Sequence, residues 1–283
     1  MAKHWLKILM FTVFCSSACF SQGKIKGNKN IVAVETKIDD FNTIRFGEKF
    51  KIELIQDDKA SVEIEADENL HEYIEVSVNN GVLQFNTSAK IQSKKALNIT
   101  VRFTDALNKI EVNNDAEIST KNTIRNDSIQ LIINDYARAF LNIRNKHFKL
   151  INNNKSTFGI SSKTKLNITS DIVILELSEN SKTEALINTD SLQSSLYKSA
   201  FAKLEGDVDY LQVNTITSSN FSAKKLTSKT CDITTEDSSH VTIQVLNNLN
   251  IETSGSSKVY LYGDPKINLI AFKDSSTFYK KEL

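Results

Sequence analysis

Beyond its first 21 residues the chain carries three histidines, His71, His147 and His240, and a single cysteine, Cys231. A zinc-type site needs such ligands converging at tight spacing. Here they stand apart, with no His-Glu-x-x-His and no cysteine pair, so no metal ligands are expected. Calcium takes oxygen ligands. Asp57-Asp58 and Asp237 supply carboxylates without an Asp-x-Asp-x-Asp-Gly loop, and they read as solvated turn acids. Ser238-Ser239-His240 sets hydroxyls beside an imidazole, the raw material of nucleophilic catalysis. Neighbours in a strand point to opposite faces, however, so the triplet reads as a structural corner. No Gly-x-Ser-x-Gly elbow occurs, and the 8 glycines are scattered rather than gathered into a phosphate loop. A glycosidase needs two carboxylates flanking a cleft. Glu176, Glu184, Glu205, Asp207 and Asp209 are the outward candidates, but Lys182, Lys198 and Lys203 interleave with them as a mixed-charge, solubilising face. The expectation is no catalytic residue, no cofactor and no enzyme. Tyr260 and Tyr262 share one strand face, with Tyr197, Tyr210 and Tyr279 elsewhere. Exposed rings of this kind accept sugars, although tyrosine more often caps a core.

The elements that must position these residues belong to an exported chain. Lys3 and Lys7 form a basic start, Ile8 to Phe14 an apolar run too short to span a bilayer, and Ala18-Cys19-Phe20-Ser21 a small-residue cleavage site before Gln22. The rival reading is lipid anchoring at Cys19, against which Ser16 stands where a lipobox usually has Leu. Residues 1–21 are therefore read as a signal peptide, and the location as periplasm or cell surface. No later segment is apolar and long enough for a transmembrane helix. The whole chain has 35 Lys+Arg against 34 Asp+Glu, a balance with no electrostatic footprint for nucleic acid or anionic lipid. With only Cys231 left after cleavage, no internal disulfide forms. That residue reads as a small buried hydrophobe.

Residues 22–37 are read as a flexible lead-in, with order beginning near Val32, and residues 38–283 as one domain. Within 38–103 the pattern is strands and hairpins. Val62-Glu63-Ile64-Glu65-Ala66 alternates strictly, Asp67 is placed to N-cap a single helical turn, and Asn79-Asn80-Gly81 is a hairpin signal. Over 104–283 a unit of alternating apolar residues followed by a Ser/Asn corner recurs. Ser181, Ser199, Ser219, Ser239, Ser257 and Ser276 lie about 18–20 residues apart. A longer gap between Ser156 and Ser181 suggests an insertion near Lys163–Ser170. Inward positions are expected at Ile129/Leu131/Ile133, Leu175/Leu177, Leu211/Val213, Val241/Ile243/Val245 and Val259/Leu261. One coil cannot bury such an edge alone, but stacked parallel coils can. Ser and Asn corners turn the chain locally, and asparagines at equivalent positions can stack in ladders. The predicted fold is all-β, a right-handed parallel β-helix, with its hairpin-containing N-terminal portion covering one end and Lys280-Lys281 guarding the other. An ordinary β-sandwich is the alternative, disfavoured because hairpin signals are confined to the first third.

Phe41-Asn42-Thr43-Ile44, Phe50-Lys51-Ile52-Glu53-Leu54-Ile55-Gln56, Val62 to Leu70 and Gly81-Val82-Leu83 resemble the GIN domain family, a domain of unknown function common in Bacteroidetes and described as an auto-transporter adhesin head. Thr253 to Val259 and Gly263-Asp264-Pro265 resemble it near the C-terminus. The resemblance covers nearly the whole chain after the signal. It departs from the family in having Ser, Asn and Lys at corners that often carry Gly. It implies a β-helical, exported protein and carries over no catalytic residue. Two triplets, Asp127-Ser128-Ile129 and Asp190-Ser191-Leu192, also resemble an O-glycosylation acceptor pattern of exported Bacteroidetes proteins, although Ile129 and Leu192 fit buried strand positions equally. The expected function is a non-enzymatic, adhesin-like binding module of the cell envelope, taking a glycan, an envelope component or a protein partner. The alternatives are an architectural protein that assembles through its β-helix ends, and a carbohydrate-active β-helix enzyme. The oligomeric state is left open.

Overall fold

The computed structural model describes residues 23–155 and 163–282, so the signal-like segment and Ser156 lie outside the described residues. Strands account for 70% of the chain and helix for 2%, which makes the protein all-β. The strands stack in parallel as a β-solenoid of about nine turns. Six long strands form its middle: Arg138–Asn154, Thr164–Leu177, Lys182–Tyr197, Phe201–Ile216, Asn220–Thr235 and His240–Thr253. Each pairs in parallel with the strands before and after it. The inward positions expected from alternation, such as Leu211, Val213, Val241 and Ile243, are fully buried. The interior is not purely apolar. Asn152 is buried, and its Nδ2 donates to Thr164 Oγ1 (3.3 Å) and Thr183 Oγ1 (3.2 Å) on the next two coils.

Two devices recur along the middle coils. At the bend, the ladder skips one residue. Asn145, Ser170, Thr189 and Val208 are in register, as are His147, Ile172, Ser191 and Tyr210, but Lys146, Asp171, Asp190 and Asp209 between them are unpaired and turn outward. A side-chain donor pins the turn by reaching the carbonyl two residues on. Asn145 Nδ2 donates to His147 O (2.9 Å), Ser170 Oγ to Ile172 O (3.0 Å) and Thr189 Oγ1 to Ser191 O (3.1 Å). At the corner, the chain closes a four-residue turn, as in the Ala200 N–H to Tyr197 O bond (3.3 Å). One or two residues there adopt positive φ, among them Lys198, Ser199, Thr217, Ser218, Asp237 and Ser238. The corner then delivers a small residue inward: Ala137, Ser181, Ala200, Ser219, Ser239 and Ser257 are all fully buried.

These corners correct the register read from serine spacing. Ser199 is exposed in the left-handed turn, and Ala200 takes the equivalent inward place, because the position selects for size rather than for a hydroxyl. The expected insertion near Lys163–Ser170 is also absent there. Thr164–Ser170 pairs residue for residue with both neighbouring coils, so the extra length falls before Lys163, partly outside the described residues. The asparagine ladder is present: Asn134 Nδ2 donates to Asn113 Oδ1 (2.8 Å), Asn153 Nδ2 to Asn134 Oδ1 (3.4 Å) and Ser178 Oγ to Asn153 Oδ1 (2.9 Å).

The solenoid begins earlier than the repeats suggest. Thr43–Phe46 and Lys51–Gln56 already pair in parallel with Lys109–Val112 and Glu117–Thr120. The intervening chain builds the N-terminal cap. Ser61–Asp67 runs antiparallel to Leu97–Phe103, and Ile31–Lys37 antiparallel to Ser61–Asp67. Ile74–Asn79 and Val82–Thr87 form the expected hairpin, with Asn80 and Gly81 both at positive φ as a tight primed turn demands. Residues 22–37, expected as a loose lead-in, instead contribute two paired strands, Lys24–Lys26 and Ile31–Lys37. Asp67 does precede a 3-10 turn, Glu68–Tyr73, but makes no cap. Its buried Oδ2 accepts the Lys95 N–H (2.7 Å) instead.

Candidate functional site

The outward residues at the bends line up along the solenoid because successive coils repeat the same skip. Strands in a sheet lie about 4.8 Å apart, so the outward Asp171, Asp190 and Asp209, each between paired residues of its own coil, form a column with one carboxylate per coil. Beside it runs a second column, Arg144, Thr169, Asn188 and Asp207. Together with Lys229 and Leu246 these side chains line a groove of about 480 Å³.

The groove is graded in charge. At one end Lys229 Nζ sits 2.6 Å from Asp209. That hydrogen bond, then the Asp209 charge, holds the Lys229 ammonium above its ordinary value, and Asp190 adds to the effect. At the other end Lys146 is held up by Asp127 (2.8 Å), with a contribution from Asp171. No hydrogen bond or ion pair engages the Asp171 and Asp190 carboxylates among the described residues. Tyr210, the chain neighbour of Asp209, is 39% exposed, and its hydroxyl donates to Asp232 Oδ2 (2.5 Å). Its ring stands outside the groove lining, on the Asp232 side of the bend.

The other candidates read from sequence fall into structural roles. Ser239 is buried at its corner, where its Oγ accepts the Ser219 N–H (3.3 Å), while His240 begins the next strand on the opposite side, so no nucleophilic pair forms. Asp57 pairs with Arg102 (3.3 Å), and its Oδ1 accepts the Asp58 N–H. The Asp237 carbonyl accepts the Ser218 N–H within the corner. His71 bonds the Val32 carbonyl (3.1 Å), and His147 is exposed at its bend. Glu176, Glu184 and Glu205 pair with Lys149, Lys165 and Lys203 on flat sheet surface, and Lys198 pairs with Glu179. Of the five carboxylates singled out, only Asp207 and Asp209 reach the groove, and Lys182 is exposed outside it. Among the described residues no three His, Cys, Asp or Glu side chains converge on a metal position. Tyr260 and Tyr279 stack on each other at 5.1 Å and 12°, and Lys224 lies 4.4 Å over Tyr262, so these faces are covered from within the chain. Ile129 and Leu192 are buried core residues; Ser128 is exposed and Ser191 half-buried.

Sequence reasoning missed Asp171, Asp190 and Asn188. Their signal was the equal spacing of Asp171, Asp190 and Asp209, 19 residues apart.

The chain is similar to known proteins over most of its length. A family model described as "Putative auto-transporter adhesin, head GIN domain" matches twice, at residues 40–169 and 159–265. A crystal structure of a putative adhesin from Parabacteroides merdae shares 17% identity and a TM-score of 0.61, covering 92% of this chain and 99% of that one. A putative adhesin from Parabacteroides distasonis shares 16% identity at a TM-score of 0.64, covering 91% and 100%. A protein from the same species described as a putative lipid binding protein shares 18% identity at a TM-score of 0.60, covering 91% and 99%. At these identities the likeness is one of fold. No functionally curated protein matches the chain.

Proposed function

The chain belongs to the family described as "Putative auto-transporter adhesin, head GIN domain", and from that premise we propose that it is an exported, non-catalytic binding module of the cell envelope whose ligand is a glycan. The observation that carries the ligand class is the bend groove. Asp171 and Asp190 present unengaged carboxylates at coil spacing, and Asn188, Asp207 and Arg144 add an amide, a further acceptor and a donor. Neighbouring hydroxyls on a sugar ring are both donors and acceptors, and such a lining satisfies them in pairs. The basic run, apolar segment and small-residue site of residues 1–21 support export, and the described residues include no helix long and apolar enough to cross a membrane. The non-catalytic part of this reading is supported by the one hydroxyl–imidazole pair of the sequence, Ser239 and His240, in which the serine is buried at its corner and bonded to the Ser219 N–H.

A glycan array probed with the purified protein tests this reading. We expect retention of a defined neutral oligosaccharide, weakened at least tenfold by Asp190→Asn and by Asn188→Ala with the circular dichroism spectrum unchanged, and no release of new reducing ends. An array with no reproducible binder, or binding indifferent to both substitutions, rejects the glycan assignment.

A further inference from the structure

We propose that the C-terminal coil is a self-association surface, and that its occupant is the same coil of a second copy of this chain, related by a twofold axis. Near this end of the solenoid, one coil offers the next three things. It offers an apolar column, a row of main-chain donors and acceptors, and a ladder of side-chain amides. The last coil, built from Lys266–Phe272 and Thr277–Lys281, offers all three.

The apolar column comes first. Ile267 and Leu269 lie in register over Leu249 and Ile251 and bury them completely. Their own outer sides are open: Ile267 is 38% exposed, Leu269 53%, Ile270 57% and Phe272 44%. Second, Lys266–Phe272 pairs only with His240–Thr253 among the described residues, so the main-chain groups on its other edge have no strand partner. Third, a side-chain ladder runs outward to this edge. Asn250 Nδ2 donates to Asp232 Oδ1 (2.7 Å) and Asn268 Nδ2 to Asn250 Oδ1 (3.2 Å). The Asn268 carbonyl oxygen is then the terminal acceptor, with no donor to it among the described residues.

A second copy fits this edge better than the molecule's other end does. The N-terminal end is closed by Ile31–Lys37, an antiparallel strand in which Glu35 and Lys37 are exposed, and by the hairpin Ile74–Thr87. Charges on an edge strand oppose further pairing. The strand Lys266–Phe272, Lys-Ile-Asn-Leu-Ile-Ala-Phe, has one charge, at its start, and none thereafter. A twofold axis through its free edge sets the strand antiparallel to itself. That places apolar column against apolar column and closes the assembly at two copies. Lys280 and Lys281 on the neighbouring end strand oppose pairing there, which confines the contact to Lys266–Phe272. The inference is independent of the glycan reading. If both hold, the pair displays two grooves and gains avidity without a new contact.

Sedimentation velocity on the protein in its exported form, over about 1 to 100 µM, tests the proposal. The average mass is expected to rise toward two copies and stop. Leu269→Lys and Ile270→Lys each raise the dissociation constant at least tenfold; Ile270, 57% exposed and outside the register that covers Ile251, does so with the urea midpoint at dilution unchanged. Leu186→Lys, 46% exposed in mid-solenoid, leaves it unchanged. Hydrogen exchange at the amides of 266–272 slows as concentration rises. A monomer throughout the range, a mass that climbs past two copies, or a Leu186→Lys effect equal to that of Leu269→Lys overturns it.

Discussion

Tyr210 holds its proton more tightly than an ordinary tyrosine. Its hydroxyl donates to Asp232, burial and the carboxylate's charge add to that, and together they push its pKa up from 10.0 to about 12. The folded protein therefore holds this proton more tightly than the unfolded chain. The resulting stabilisation is complete below pH 10 and is lost as pH rises through about 12. The difference in absorbance near 295 nm between the native protein and Tyr210→Phe is expected to show one tyrosinate step near pH 12, and Asp232→Asn moves that step down toward 10. A step that ignores Asp232 would mean the hydrogen bond does not hold the ring. Cys231, fully buried beside Asp232, lies at the other extreme: desolvation pushes its thiol well up, so it acts as a packing group inside its coil.

At the scale of a coil, the corner and the bend place strict and different demands on side chains. The corner needs a small residue facing inward, as at Ser219, Ser239 and Ser257, because the next coil's corner sits directly over it. Ser239→Leu forces a larger side chain into that stack and is expected to cost about 1–3 kcal/mol. Ser199→Leu, one residue off the inward register and exposed, avoids that stack and is expected to cost less than Ser239→Leu, since only the left-handed turn resists it. Urea unfolding of the two variants distinguishes this register from one in which Ser199 is the corner residue. The bend needs backbone rather than volume. Two residues before its bend, Gly206, at φ +116°, lies so close to the Ile187 carbonyl that a Cβ there would sit 2.2 Å from its oxygen, and glycine alone fits. Asn145, Ser170 and Thr189 occupy the bend for their donors, each covering a carbonyl two residues on.

Across the whole molecule, pairing runs from each coil to its immediate neighbours, so local stability should follow the number of covered sides. The strands Phe201–Ile216 and Asn220–Thr235 are covered on both sides, Ile31–Lys37 and Lys266–Phe272 on one. Amide hydrogen exchange at dilution, below the range of self-association, should therefore be slowest in the two central coils and fastest at the two ends. Uniform protection along the chain would show that the solenoid opens as one unit. The same anatomy separates the two surfaces. The groove lies on the side of the middle coils, and the proposed pairing edge lies at the end, so substitutions at one should leave the other intact.

Local chemistry made much of the architecture legible. Period-two alternation in Leu211/Val213 and Val241/Ile243 marks strands whose inner sides must be covered, and the short corners between them leave a neighbouring coil as the cover. Asn79-Asn80-Gly81 specifies its hairpin because the turn requires positive φ, which those residues accept. Tertiary structure alone decided the rest. Asp171, Asp190 and Asp209 become a column only because each bend skips one residue and the coils stack in register, a coincidence across 19-residue intervals that no local rule enforces. Ile267 and Leu269 have the same pattern as buried residues and yet are open among the described residues, because burial depends on the strand laid against them. A residue's own preferences set which way it faces within a strand. What it then meets is set by the strand laid beside it.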